Sequence, residues 1–259
     1  MTDPRAARAP RLFGVLVAVG DYSKARLRSG KPPGNLQFTR RDAEAMLASW
    51  QGQKGKTFRD VRLVLCADQE ARRDKVLQEL KAVGEQVQPD DRVFLYFAGH
   101  GDLADKGARA EFVYCCVDFD QGRSAATGLS SRDLADAIAA INCRKVVFLD
   151  TCHSGAVLNP IRDLTPGRLG PILFASCDRP QKSYEISDLH HGLFTYAILD
   201  ALDQRVRRDG GQLGTPLDTH GLMRHLRVRM PELLEKFDPN AQQTPICFPE
   251  PVDPLLLSK

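Results

Sequence analysis

The chain has 259 residues, 42% of them hydrophobic and 27% charged, with a formal net charge of +3, a composition that argues against a disordered or membrane class. Its longest apolar runs, such as Phe13 to Val19 and Val146 to Leu149, fall far short of the roughly 18 residues that cross a bilayer. Seven scattered cysteines without a Cys-x-x-Cys pair suggest neither a disulfide framework nor a zinc site.

In chain order, residues 1–11 form a basic tail without an apolar signal region, which we read as flexible and as pointing to the cytoplasm. Residues 12–259 read as one domain. Leu12 to Val19, Val61 to Leu65, Val93 to Phe97, Val146 to Leu149 and Ile172 to Ala175 are continuously apolar, the pattern of strands covered on both faces in a parallel, doubly wound sheet. Between them, Arg40 to Trp50, Arg72 to Val87, Arg132 to Ala140 and Phe194 to Leu202 carry apolar residues at helical spacing, and Thr219 to Lys236 adds a further amphipathic helix. Ile246 to Phe248, hemmed by prolines at 245, 249 and 251, reads as a short edge strand. The fold class is therefore α/β. Cys66, Cys115, Cys116, Cys143 and Cys247 sit in or beside apolar runs and read as packed core. The basic clusters at Arg205 to Arg208 and Arg224 to Arg229 lie on helical patterns opposite apolar partners, so neither nucleic acid nor a membrane is expected as a partner.

Two segments carry the chemistry. Val93-Phe94-Leu95-Tyr96-Phe97-Ala98-Gly99-His100-Gly101 and Val146-Val147-Phe148-Leu149-Asp150-Thr151-Cys152-His153-Ser154-Gly155 are each a buried strand that ends in a reactive side chain and a glycine. In a doubly wound sheet the crevice outside the carboxyl ends of the strands is the usual site, so both deliver their residue to one place. A neighbouring imidazole can take the proton of a thiol or hold the thiolate as an ion pair, which makes His100 and Cys152 a candidate dyad. His153 would point elsewhere, and His190, His191, His220 and His225 lack a partner pattern and read as surface or helix residues.

Tyr-Phe-Ala-Gly-His-Gly followed, 52 positions on from its histidine, by the cysteine of Leu-Asp-Thr-Cys-His-Ser-Gly resembles the paired signature of caspases and metacaspases, peptidase family C14 of clan CD. Leu36 to Leu47, Glu111 to Asp118 and His191-Gly192-Leu193-Phe194-Thr195-Tyr196 agree with the same family, so the resemblance runs from about Leu12 to Pro245. It implies a three-layer α/β/α sandwich with a mostly parallel sheet of about six strands, and a cysteine endopeptidase with Cys152 as nucleophile and His100 as general base and acid. By the same resemblance the backbone amides of Gly101 and Cys152 form the oxyanion hole. It likewise implies a substrate-binding pocket lined by Asp42 and Asp150, with Ser176 and Asp178 on the stretch where animal caspases hold an acidic side chain. A pocket of carboxylates calls for a cation, so a protein or peptide substrate with arginine or lysine before the cut is expected. A competing reading of Asp42 is a helix cap or an ion pair beside Arg40 and Arg41.

No cofactor or metal is expected: the acidic cluster that serves calcium in metacaspases is not evident, Asn159 and Ser130-Ser131 standing where carboxylates would be sought. The loop from Ala156 to Pro171 holds Arg162 and Arg168, where a basic-specific enzyme could cut itself or which could simply shape the groove. Alternatives are another clan CD protease of the separase, CHAT or gingipain type, a small-molecule hydrolase, or an inactive caspase-like interaction module. The resemblance further implies a bacterial signalling, cell-death or antiviral-defence effector released by an upstream protease or sensor, and the edge strand near Ile246 offers a seam for pairing with a second copy.

Overall fold

The computed structural model describes residues 9–103, 111–152, 154–157, 170–178, 181–208, 216–249 and 253–258. The apolar runs become strands β1 (Arg11–Ala18), β2 (Asp60–Ala67), β3 (Arg92–Gly99), β7 (Arg144–Thr151) and β8 (Pro171–Ala175). Between β3 and β7 come three short strands, β4 (Gly101–Leu103), β5 (Phe112–Cys115) and β6 (Gly128–Ser130), which form an antiparallel sheet of their own. β9 (Glu185–Ile186) pairs with β10 (His191–Gly192), and β11 (Leu217–Asp218) with β13 (Leu256–Ser258). β12 (Ile246–Phe248) closes one edge of the main sheet. The helices are α1 (Thr39–Gln51), α2 (Arg73–Gln86), the single turn α3 (Ser124–Thr127), α4 (Ser131–Ala139), α5 (Leu193–Arg208) and α6 (Thr219–Phe237).

The main sheet has six strands in the order β12-β8-β7-β3-β1-β2. All neighbours are parallel except β12, which runs antiparallel to β8 as an edge strand. Alternation along each strand divides the core in two. Val15, Val17, Leu95, Phe97, Val147 and Leu149 face α2 and α4, where Val76, Leu80, Leu134 and Ile138 cover them. Leu16, Phe94, Tyr96, Phe148 and Phe174 face α1, α5 and α6. Continuous hydrophobicity in the strands is thus the mark of two covered faces, and the sandwich expected from sequence is present.

Aromatic packing fixes α1 on this second face. Trp50 packs edge-on against Phe94 at 5.2 Å between ring centroids, and Phe148 stacks on Phe174 at 5.4 Å. Such pairs each add about 0.5–1.5 kcal/mol beyond their burial. Trp50 lies at the carboxyl end of α1. Two turns earlier, about 12 Å along the axis, the same helix delivers Asp42 to the carboxyl ends of the strands. The five cysteines read as core are all buried.

Candidate active site

β3 and β7 lie side by side in a register that sets Ala98 beside Asp150 and Gly99 beside Thr151. One step further stand His100 and Cys152, so two residues distant in sequence come together at one rim of the sheet. The order of strands reverses between β1 and β3, and the crevice at such a switch point is where open α/β sheets take ligands.

The glycines on either side of His100 answer to close quarters. Gly99 has φ +152°, and a Cβ there would stand 2.6 Å from the Tyr22 hydroxyl. At Gly101 a Cβ would come within 2.4 Å of the Cys152 carbonyl oxygen. The segment after β3 therefore runs directly against the backbone at Cys152.

His100 is gripped by backbone and by Tyr22. Its Nε2 lies 2.7 Å from the Gly34 carbonyl oxygen, which can only accept, so Nε2 carries a proton and the neutral ring keeps its lone pair on Nδ1. The His100 N–H donates to the Tyr22 hydroxyl at 2.7 Å, and that hydroxyl donates to the Cys115 carbonyl at 3.1 Å. The two rings stand 4.6 Å apart. Burial holds the Tyr22 phenol well above its ordinary pKa, so it stays a donor. Cys152 is half-buried, and burial pushes its thiol up against the opposing pull of the Ser183 N–H, which favours the thiolate. Burial thus favours the protonated thiol.

The two predicted pocket carboxylates meet. Asp150 follows Phe148 on the face that α1 and α5 cover, and both Asp42 and Asp150 are buried. Asp42 pairs with His191 Nδ1 and accepts from the Gly192 N–H at 2.9 Å, so it neither caps α1 nor pairs with Arg40 or Arg41. Asp150 accepts from Ser183 Oγ and Thr195 Oγ1, both at 2.6 Å. Burial lifts both carboxyls, and burial with the nearby Asp42 charge raises Asp150 to about 6. Glu185 adds its charge near Asp42, but its own oxygens accept from the Gln37 and Phe38 N–H groups ahead of α1.

The Ser176 hydroxyl turns to the Thr151 carbonyl at 3.2 Å, with Ser154 Oγ at 3.4 Å, instead of to either carboxylate. Asp178 is exposed on the turn after β8. His153 and the loop with Asn159, Arg162 and Arg168 lie outside the described residues. Among the described residues no group of three or more His, Cys, Asp or Glu side chains could hold a metal ion, and no helix is long and apolar enough to cross a membrane.

With this geometry in place, the sequence matches the family model of the caspase domain, Peptidase_C14, over residues 16–252. The chain belongs to the caspase-domain family. A solved structure of a Geobacter sulfurreducens protein superposes with a TM-score of 0.64 at 18% identity, covering 92% of this chain and 93% of the other. Caspase-1 of Spodoptera frugiperda superposes with a TM-score of 0.61 at 13% identity, covering 96% and 90%. Both likenesses concern the fold. No curated protein matches in sequence.

Within this caspase domain three contributors escaped sequence reasoning. The Gly34 carbonyl carries no side-chain signal at all. Tyr22 could have been suspected only from its place just after β1 at the switch point. His191, read as a surface or helix residue, is instead on β10 and tied to Asp42, 149 positions away. Likewise His225 on α6 has a partner, Asp200, at 3.3 Å.

Proposed function

We propose that this caspase-domain chain is a cysteine endopeptidase with a dyad of Cys152 and His100 that cuts after arginine or lysine. The adjacency of His100 and Cys152 across the β3–β7 register, with Gly101 packed on the Cys152 carbonyl, is the observation that carries the reading.

Because burial favours the thiol, His100 acts first as a base. Nδ1 takes the Sγ proton as Sγ bonds to the scissile carbonyl carbon, and the backbone amides of Gly101 and Cys152 receive the charge that develops on oxygen. Nδ1–H then gives that proton to the leaving amine as the carbon–nitrogen bond breaks. Water, deprotonated by His100, releases the acyl group, and the proton returns to Sγ. The Gly34 carbonyl keeps the ring oriented and favours the imidazolium that forms in between.

The preference rests on unbalanced charge. Asp42 has one imidazole opposite it, whereas Asp150 has only neutral donors. Two buried carboxylates that share one imidazole and otherwise neutral donors leave a demand that an arginine or lysine side chain meets. The test compares cleavage of peptides identical except for arginine, lysine or aspartate before the scissile bond, with Cys152→Ala as control. Hydrolysis of the basic peptides alone supports the reading, and preference for aspartate overturns the pocket assignment.

A further inference from the structure

Two chains of hydrogen bonds, each one residue longer than the pocket itself, converge on Asp150. Ser183 Oγ holds Oδ1, and Gln243 Nε2 in turn donates to Ser183 Oγ at 3.1 Å. The amide of Gln243 cannot be reversed: its Oε1 accepts from the Tyr184 N–H at 3.0 Å, and its Nε2 also donates to the Ser176 carbonyl at 3.1 Å. Ser183 accepts from Gln243, so its one proton is left for Asp150. On the other side Thr195 Oγ1 holds Oδ2, and the Tyr96 hydroxyl lies 2.7 Å from Thr195 Oγ1. Thr195 spends its one proton on Asp150, which makes Tyr96 the donor in that pair. Gln243 and Tyr96 are both buried.

We propose that Gln243 and Tyr96 are positioning residues that keep Asp150 an acceptor-only carboxylate, and so set how strongly the pocket takes a cationic side chain. The inference rests on the basic-pocket reading above. If Asp150 were protonated, its own proton would compete with those of Ser183 and Thr195, and a donor on one side would lose its acceptor. The relays therefore act against the influences that neutralise the group. These are burial and Asp42 from α1; Glu185 on β9 and His191 on β10 stand by Asp42, Cys152 follows just past the end of β7, and Lys182 lies on the segment beside Cys152. The balance leaves Asp150 at about 6, where losing one donor shows as a change in pH dependence.

The experiment measures kcat/KM from about pH 5 to about pH 8 for two fluorogenic peptides that differ only in arginine or its uncharged isostere citrulline before the cut. The ionisations of Cys152 and His100 cancel in the arginine-to-citrulline ratio, which leaves the pocket. In the wild type the ratio rises with pH to a plateau, with a midpoint near 6. Tyr96→Phe removes the outer donor on one side; Gln243→Glu turns an acceptor toward Ser183 on the other. Each moves the midpoint upward by about half to one pH unit and lowers the ratio at pH 6 by about threefold or more, with little change on the plateau. Circular dichroism and iodoacetamide labelling of Cys152 establish that a variant is folded, and if Gln243→Glu does not fold, Tyr96→Phe decides. An unmoved midpoint in folded Tyr96→Phe, or an equal loss at every pH, overturns the inference. A wild type that never favours arginine over citrulline overturns the basic pocket itself.

Discussion

Asp42 and Asp150 face each other across Gly192: a Cβ placed on that glycine would stand 3.0 Å from one carboxylate oxygen of each. Asp42 comes from the first turn of α1, Asp150 from the end of β7, and Gly192 from the last residue before α5. Three separate elements thus bring two carboxylates together around one glycine, and each has a way to fail.

Gly192→Ala sets a methyl group between the two carboxylates. We expect kcat/KM for an arginine peptide to fall by about tenfold or more, as about 1.4 kcal/mol of lost transition-state binding requires. The rate of Cys152 alkylation by iodoacetamide should remain within about twofold of wild type. Steady-state kinetics beside alkylation kinetics check both halves.

Asp150→Asn should make the protein more stable and less active. The carboxyl titrates at about 6 in the fold against an ordinary 3.8. Between those values the folded state binds more protons than the unfolded chain, so wild-type stability falls as pH rises through that window and is level above it. The full shift corresponds to about 3 kcal/mol. Part of this is forfeited, because the amide can accept from only one of the two hydroxyls, so the variant should gain about 1–3 kcal/mol above pH 6 and nothing below about pH 4. Urea denaturation at several pH values measures it. Improved stability joined to lost arginine cleavage is what a pocket kept for function, not for folding, predicts.

Tyr22→Phe leaves the His100 N–H and the Cys115 carbonyl without their shared hydroxyl. Orphaned buried groups of this kind cost about 1–3 kcal/mol, which thermal denaturation should record as a drop of several degrees. Activity should fall through kcat more than KM, because His100 loses its support while the pocket does not.

The main sheet was legible because its strands are buried on both faces and so read as unbroken apolar runs bounded by helical patterns. The small sheets of β4 to β6, β9 with β10, and β11 with β13 were not, since strands of two to four residues show no periodicity. Asp42 and Asp150 were reached by resemblance. Ser176, also expected in the pocket, donates to the Thr151 carbonyl just ahead of Cys152. The holders of these groups were out of reach: Ser183, Thr195, His191 and Gln243 act through pairings 33 to 149 residues long that only the folded chain creates.

Whether Cys152 is a nucleophile activated by His100 in a pocket for a basic side chain is decided by peptide mapping by mass spectrometry after treatment with an arginyl peptide chloromethyl ketone. We expect one adduct per chain, on Cys152 Sγ, strongly slowed in His100→Ala and suppressed by excess arginine peptide. An adduct that forms on another residue at the same rate in Cys152→Ala, or no adduct on a folded and otherwise alkylatable Cys152, would contradict it.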